Sequence, residues 1–319
     1  MGMLVKGVWH DLGYDMKKGE FLRDESVFRE RVSADGSTLF PAEPGRYHLY
    51  VSYACPWAHR TLIVRALKGL QDAITVSVVD PHMGPGGWSF GDRPDCTRDH
   101  VHAATFLREV YVKARSDYSG RVTVPVLWDR ETATIVSNES AEIIRMLNRE
   151  FDACATVKIP DLCPQSLLPQ IERWNERIYH TVNNGVYRAG FATSQDKYEA
   201  AVQSLFESLD LIDEHLSWHR YLCGTRITEA DWRLFTTLVR FDAVYHGHFK
   251  CNLQRIVDYE NLWPYTRELY QIPGVAPTVD MAQIKEHYYG SHAQINPTGI
   301  VPSGPRINFD SPHGREALG

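Results

Sequence analysis

The sequence lacks three features, each of which would point to a particular class of protein. Its six cysteines form no Cys-x-x-Cys pair, so neither a dithiol redox motif nor a zinc site with paired ligands is indicated. No apolar run approaches the roughly 20 residues that a membrane-spanning helix needs. The net charge is -6 and no Lys/Arg run stands out, which argues against a nucleic-acid-binding surface. We therefore expect neither a membrane nor a nucleic acid as a partner.

Other absences bear on the compartment and on metals. The N-terminal segment has no continuous apolar core and no signal-peptide layout, which predicts a cytoplasmic protein with free thiols. His246, His248 and Cys251 have a spacing that could hold a metal, but no second ligand pair completes a tetrahedral site. We expect a partly exposed helix-end cluster there and no metal.

The chain has the composition of an ordinary globular protein and is long enough for two domains. The chain has 319 residues, of which 43% are hydrophobic and 23% charged. The first 45 residues or so are read as an irregular lead-in. From about residue 165 onward, apolar residues at helical spacing predict an all-helical half, and Thr228 with Asp231 forms a capping-box variant.

Cys55 stands at the junction of a predicted strand and a predicted helix. Residues 47–51 alternate as a half-buried strand does, and apolar residues from 58 to 67 share a helical face that Gly69 ends. Pro56 suits the first helical turn. The thiol would then lie at a helix N-terminus, where unpaired N–H groups and the helix dipole stabilise a thiolate. A buried structural cysteine is the commoner alternative, but Pro56 and the junction favour a nucleophile.

The segment after this helix predicts a β-α-β unit, a long insertion and then a β-β-α unit. A second strand at 74–78 implies parallel pairing with a right-handed crossover. The Gly/Pro-rich segment 80–95 is too long for a simple turn, and long ordered loops tend to be functional. Pro125 within the predicted strand 122–128 must mark an edge, a bulge or a cis bond. Ser137 and Asn138 are both candidate N-caps for the helix that follows strand 134–136.

Six stretches of the chain carry a more specific pattern. They are Tyr47-His48-Leu49-Tyr50-Val51-Ser52, Ala54-Cys55-Pro56-Trp57-Ala58-His59-Arg60, Arg121-Val122-Thr123-Val124-Pro125-Val126-Leu127-Trp128, Ser137-Asn138-Glu139-Ser140, Asn183-Asn184-Gly185-Val186-Tyr187 and Asn296-Pro297-Thr298-Gly299. Together they resemble the glutathionyl-hydroquinone reductases, the Xi class of glutathione transferases. The resemblance covers nearly the whole chain, whereas Cys55-Pro56 alone would indicate only the wider thioredoxin-like group.

The resemblance implies a fold and a domain order. It implies the glutathione transferase fold, in which an α/β thioredoxin-like domain binds glutathione and an all-α domain follows. In this sequence the parts would be an N-terminal extension at 1–44, the thioredoxin-like domain at 45–152, the helical domain at 165–289 and a C-terminal tail at 290–319. It also implies a homodimer.

The resemblance implies site residues as well. Cys55 would be the nucleophile and Tyr187 the proton donor. Tyr245 and Tyr288 would line the hydroquinone pocket and hydrogen-bond the thiolate, with Tyr289 as a competing assignment for Tyr288. The residues that would bind glutathione are Trp88, Arg121, Val122, Thr123, Val124, Glu139 and Ser140.

The residues themselves support parts of this assignment and leave others open. A helix N-terminus with a Ser140 hydroxyl suits a carboxylate, and Glu139 can accept from an ammonium group. Both could equally be residues that merely start a helix. Trp88 could be a packing residue, although an aromatic among glycines in a long loop favours ligand contact.

The implied activity is the glutathione-dependent reduction of glutathionyl-hydroquinones through a mixed disulfide between Cys55 and glutathione, with oxidised glutathione released. Ala58 occupies the position of a resolving cysteine, so an outside thiol must resolve that disulfide. A general glutaredoxin-like deglutathionylase is the alternative enzyme. A non-catalytic protein that binds aromatic ligands is the alternative from another class.

Overall fold

The computed structural model describes residues 2–11, 25–94 and 96–318 of the chain. The chain divides into two compact units. The first contains the described residues up to Pro160 together with Thr278–Ser291, and the second contains Asp161–Pro277 and the described residues from His292 onward. The sequence-based division places residues 278–289 in the helical domain and 290–291 in the tail, whereas the structure places all of them in the first unit. A helix that follows other helices in the sequence does not have to pack in the same unit as they do.

The first unit is built on a sheet with the strand order β6-β5-β8-β9. Strand β5 (Tyr47–Val51) pairs in parallel with β6 (Ile74–Val78) and antiparallel with β8 (Val126–Asp129), which pairs antiparallel with β9 (Thr134–Ser137). Every residue of β5 is buried, so the prediction of a half-buried strand is wrong, because the strand is covered on both faces. The predicted β-α-β and β-β-α order is confirmed.

The N-terminal segment contains short strands where an irregular lead-in is predicted. Strand β1 (Met3–Val5) forms a hairpin with β2 (Val8–His10) and also pairs with β7 (Gly120–Arg121). Two further strands, β3 (Val32–Ser33) and β4 (Phe40–Pro41), pair in parallel. Residues 12–24 of the predicted extension lie outside the described residues. Of these pairings, the one between β1 and β7 joins the lead-in to a strand more than 100 residues away in the chain.

The helices follow the predicted order. Those of the first unit are α1 (Pro56–Leu67), α2 (Leu107–Ala114), α3 (Ser140–Arg149) and α9 (Met281–Ser291). Those of the second unit are α4 (Leu168–Arg177), a π-helix (Ile178–Asn183), α5 (Gly185–Gly190), α6 (Gln195–Leu216), α7 (Glu229–Arg240), a second π-helix (Phe241–Tyr245) and α8 (Leu262–Gln271). In α7 the capping box is confirmed, because the Thr228 N–H donates to Asp231 Oδ2 at 2.7 Å. Within the ranges that the structure describes, no helix is long and apolar enough to cross a bilayer.

Helix α3 begins later than either predicted cap. Its N-cap is Glu139, whose Oε1 accepts from the Ala141 N–H at 3.0 Å. The Ser137 hydroxyl instead accepts from the Glu139 N–H at 3.1 Å. Asn138 Oδ1 accepts from the Phe28 N–H at 3.2 Å. The prediction of Ser137 or Asn138 as N-cap is therefore wrong, because both side chains bind backbone that precedes the helix.

The structure decides between the three alternatives for Pro125, which are a sheet edge, a bulge and a cis bond. The Val124–Pro125 peptide bond is cis, and β8 begins at the next residue. Since β8 lies between β5 and β9, the proline does not mark a sheet edge. A register shift between Leu127 and Trp128 adds a bulge two residues further on.

A buried histidine of the sheet predicts how stability depends on pH. His48 lies in β5, with Nδ1 2.6 Å from Thr75 Oγ1 and Nε2 2.9 Å from Ser77 Oγ. Burial, helped by the nearby Arg130 charge, lowers the pKa of His48 to about 3. In the unfolded chain the pKa returns to about 6.5, so the unfolded state binds the proton first as the pH falls. This group's stabilising contribution is therefore complete above pH ~6.5 and is lost as the pH falls below it, by at most ~1.4 kcal/mol per pH unit.

We expect His48→Gln to flatten the fall of the free energy of unfolding between about pH 6.5 and pH 4. Urea-induced unfolding at a series of pH values measures this slope. The same change at the exposed His10 serves as control and should leave the slope as in the wild type. If the free energy of unfolding of His48→Gln still falls steeply as the pH is lowered, groups other than His48 cause the loss of stability in acid.

Candidate active site

Cys55 occupies the predicted position at the N-terminus of α1. It is the N-cap residue, Pro56 is the first helical residue, and the first turn carries no acidic side chain. The Cys55 carbonyl oxygen accepts the His59 N–H at 2.9 Å, which starts the helical hydrogen-bond series. The thiol is partly exposed, and its Sγ lies 3.5 Å from the Val124 carbonyl oxygen. The arrangement places a partly exposed sulfur at the positive end of the helix dipole, where a thiolate is stabilised.

Other thiols lie in surroundings that disfavour a thiolate. Burial is the largest cause that raises the pKa of Cys96, of Cys154 and of Cys251. It raises the pKa of Cys223 to about 11. None of these four is at the start of a helix of the kind that bears Cys55. A thiol whose pKa is raised in this way is a poor nucleophile at neutral pH.

The stretch from Arg121 to Val124 runs past the cysteine. The Tyr111 hydroxyl holds Thr123 at both backbone groups, donating to its carbonyl oxygen at 2.9 Å and accepting from its N–H at 3.2 Å. Arg121 lies in β7, and its Nη1 donates to the Gly2 carbonyl oxygen at 3.3 Å. Residues 121–123 are half-buried and Val124 is buried. The structure thus brings the predicted glutathione-binding backbone beside the predicted nucleophile.

The N-terminus of α3 carries groups of both charges. Glu139 caps the helix with one carboxylate oxygen, and Oε2 accepts from the Ser26 hydroxyl at 3.0 Å. The Ser140 hydroxyl lies 3.4 Å from Nη1 of the buried Arg60, whose guanidinium stacks 4.4 Å from the centre of the Trp57 ring. Neither Ser26 nor Arg60 is picked out by the sequence reasoning. Such a helix start suits a ligand that has both an ammonium and a carboxylate group.

Trp88 is more buried than its loop position predicts. Only 6% of the residue is exposed, and its ring stacks on the His287 ring with centroids 4.8 Å apart. The preceding Gly87 has a φ of +79°, and a Cβ there would lie 2.8 Å from the Trp9 ring. Trp9 also donates from Nε1 to the Pro85 carbonyl oxygen at 2.9 Å. The loop is therefore ordered by residues from both distant ends of the first unit.

The two neighbouring tyrosines of α9 differ in burial. Tyr288 is 1% exposed and contacts the His287 ring edge-on, with centroids 5.3 Å apart. Tyr289 is half-buried. Assignment of Tyr288 to the hydroquinone pocket stays a prediction, and its burial distinguishes it from Tyr289.

In the second unit, Tyr187 and Tyr245 share one aromatic cluster. Their ring centroids are 6.1 Å apart, and Phe249 lies 5.5 Å from each of them. Tyr187 is half-buried, whereas Tyr245 is fully buried. Tyr187 lies in the helix that follows the first π-helix, and Tyr245 is the last residue of the second; π-helical segments are frequent at functional sites. Sequence reasoning missed Phe249, which lies in a turn, and its spacing of four residues from Tyr245 is the signal that could have found it.

In the cluster whose spacing could hold a metal, His248 and Cys251 make other contacts. His248 is buried, and its Nε2 lies 3.2 Å from Nδ1 of His292. Cys251 is fully buried, with its Sγ 3.8 Å from the Phe249 carbonyl oxygen. The expectation of a partly exposed cluster is therefore wrong for these two residues. Among the described residues no group of three His, Cys, Asp or Glu side chains is placed to hold a metal.

Comparison with known proteins identifies the class first. Residues 54–150 match the family described as "Glutathione S-transferase, N-terminal domain", and residues 195–268 match "Glutathione S-transferase, C-terminal domain". The fold and the cysteine site thus define a glutathione S-transferase.

Three comparisons with two full-length relatives narrow the class. The chain is 55% identical to glutathionyl-hydroquinone reductase YqjG of Escherichia coli K12 over 99% of both chains. It superposes on the Xi-class transferase of Natrialba magadii with a TM-score of 0.94 and 52% identity, covering 100% of this chain and 97% of the other. The glutathione-bound structure of E. coli YqjG gives a TM-score of 0.90 and 53% identity, with 98% of each chain covered. The chain belongs to the glutathionyl-hydroquinone reductases, the Xi class of glutathione transferases.

Proposed function

We propose that the protein reduces glutathionyl-hydroquinones to hydroquinones at the expense of glutathione. The observation that carries the proposal is the partly exposed Cys55 thiol at the start of α1, beside the cis Val124–Pro125 bond, in a chain 55% identical to a glutathionyl-hydroquinone reductase. Burial raises the pKa of Cys96, Cys154, Cys223 and Cys251, which makes these four thiols poor nucleophiles at neutral pH.

In the first step the Cys55 thiolate attacks the sulfur of the conjugate. A sulfur–sulfur bond forms between Cys55 and glutathione, and the bond between sulfur and the aromatic carbon breaks. The carbon takes the electron pair, so it is a very poor leaving group unless a proton arrives at the same time. We assign that proton to the Tyr187 hydroxyl, a role in which general acids typically contribute ~10²–10⁴-fold.

In the second step a free glutathione thiolate attacks the mixed disulfide. Oxidised glutathione leaves and the Cys55 thiolate is restored, and the proton that glutathione loses on becoming a thiolate replaces the one given up by Tyr187. The aromatic carbon has then been reduced, and two glutathionyl sulfurs, one from the thioether and one from the thiol, have been oxidised. An outside thiol is needed because Ala58 stands at the position that a resolving cysteine would take. These steps need glutathione as co-substrate and no metal.

The glutathione site that we propose uses the residues around Cys55. The backbone of Val124 would pair with the tripeptide, and Arg121 and Trp88 would contact it. The Ser140 hydroxyl and the Glu139 carboxylate would hold its γ-glutamyl end. This is supported by the position of all five residues in the first unit, which also holds Cys55. Tyr245 and Tyr288 would line the hydroquinone pocket.

We also propose a cytoplasmic homodimer. The family resemblance supports the dimer. Light scattering coupled to size-exclusion chromatography measures the mass of the particle directly, and the mass of a single 36.5 kDa chain would contradict the dimer.

The proposed activity is tested by mixing the protein with glutathionyl-menadiol and glutathione and following free menadiol and oxidised glutathione by chromatography. We expect the two products in equal amounts, because one conjugate and one glutathione are consumed for each. A parallel assay with a small glutathione mixed disulfide separates the alternative. Turnover of the disulfide without release of menadiol would leave a general deglutathionylase.

A further inference from the structure

Helix α9 holds the loop that carries Trp88, and one of its residues bears on that side chain directly. The rings of Trp88 and His287 lie 4.8 Å apart between centroids at an interplanar angle of 22°. Both residues are buried, with 6% and 8% of their surface exposed. The stacked histidine therefore determines the plane in which the indole lies.

His287 is itself fixed at the beginning of the same loop. Its Nδ1 lies 2.8 Å from the Pro81 carbonyl oxygen. A carbonyl oxygen can only accept, so Nδ1 must carry a proton in this arrangement. One side chain thus connects the start of the loop with the aromatic residue further along it.

The loop has other attachments to α9 besides those of His287, whose Nδ1 also lies 3.4 Å from one of the groups involved, Ser291 Oγ. Arg93 Nη2 pairs with Glu286 Oε1 at 2.5 Å, and the Met83 N–H donates to Ser291 Oγ at 2.9 Å. These contacts hold the loop on both sides of Trp88. Loss of the histidine ring should therefore free the indole without detaching the loop.

We propose that His287 is a positioning residue, which orients Trp88 and so sets the affinity of the enzyme for the glutathionyl group. The inference rests on the proposed function, in which Trp88 contacts glutathione. His287 does not touch the reacting atoms in this account, so its loss should raise KM and leave kcat nearly unchanged.

The test measures the dissociation constant of glutathione sulfonate, which cannot react with Cys55, by isothermal titration calorimetry. His287→Asn keeps a donor for the Pro81 carbonyl oxygen but loses the stacked ring, and we expect affinity to fall about three- to tenfold. His287→Phe keeps a stacked ring and should stay within about twofold of the wild type. The same Asn replacement at the exposed His219 serves as control and should change nothing. Steady-state kinetics of the same variants check the split between KM and kcat.

A double variant decides whether His287 acts through Trp88. If it does, His287→Asn should have no further effect in a Trp88→Leu background, because interactions within one unit are not additive. An equal loss in both backgrounds would overturn the inference in favour of a general structural role. Normal affinity in His287→Asn together with weak binding by Trp88→Leu would overturn it and leave the proposed function standing. If Trp88→Leu itself binds glutathione sulfonate with normal affinity, both the inference and the proposed contact between Trp88 and glutathione are contradicted.

Discussion

Cys55→Ser is expected to reduce menadiol release from glutathionyl-menadiol to the rate without enzyme. A serine hydroxyl is almost fully protonated at neutral pH and cannot form the disulfide through which the proposed reaction runs. The wild type should also gain the mass of one glutathionyl group when the conjugate is added without free glutathione. Intact-protein mass spectrometry detects this adduct, which should be missing in Cys55→Ser.

Cys154→Ser is the matched control for this result. Cys154 is also partly exposed, but burial raises the pKa of its thiol. We expect the control to keep full activity and to form the adduct. Menadiol release that survives in Cys55→Ser would contradict the proposed nucleophile, and a glutathionyl group on Cys154 would transfer the role to that thiol.

Tyr187→Phe is expected to slow the first step by ~10²–10⁴-fold and to leave the second nearly unchanged. The reason is the leaving group, since an aromatic carbanion needs a proton as the bond breaks, whereas in the second step Cys55 leaves the mixed disulfide as a thiolate without one. Rapid-quench measurement of a single turnover separates menadiol release from the later appearance of oxidised glutathione.

Two comparisons make the Tyr187 result specific. Tyr179 lies in the preceding π-helix and is 37% exposed, so Tyr179→Phe removes a hydroxyl from a nearby surface position and should behave as the wild type. A small glutathione mixed disulfide, whose leaving group is already a thiolate, should be reduced equally well by wild type and Tyr187→Phe. Equal slowing with both substrates would contradict a general acid and indicate damage to the aromatic cluster that Tyr187 forms with Phe249.

The position of Cys55 could be predicted because the signals for it are local. Alternation in 47–51, the proline at the first helical position and Gly69 at the helix end all act within one or two turns of the chain, and the structure confirms the strand and the helix that they predict. The capping box at Thr228 is confirmed for the same reason. The cap of α3 could not be predicted, because Ser137, Asn138 and Glu139 all have side chains that can accept.

The roles of Tyr187 and Tyr245 came from the resemblance to a family, since nothing in their surroundings distinguishes them among 16 tyrosines. Their approach to 6.1 Å follows from how the helices pack. The stack of His287 on Trp88 has no signal in the sequence at all, because α9 lies far along the chain from the loop.

The sequence by itself determined the strand–helix junction at Cys55, the order of the elements and the family to which the chain belongs. Only the tertiary structure decided which side chain caps α3, which unit holds α9, and that His287 lies against Trp88. Secondary-structure propensity and helix capping depend on residues that are only a few positions apart in the chain. A contact between distant segments depends on how complete elements pack together, and that information is spread over the whole sequence.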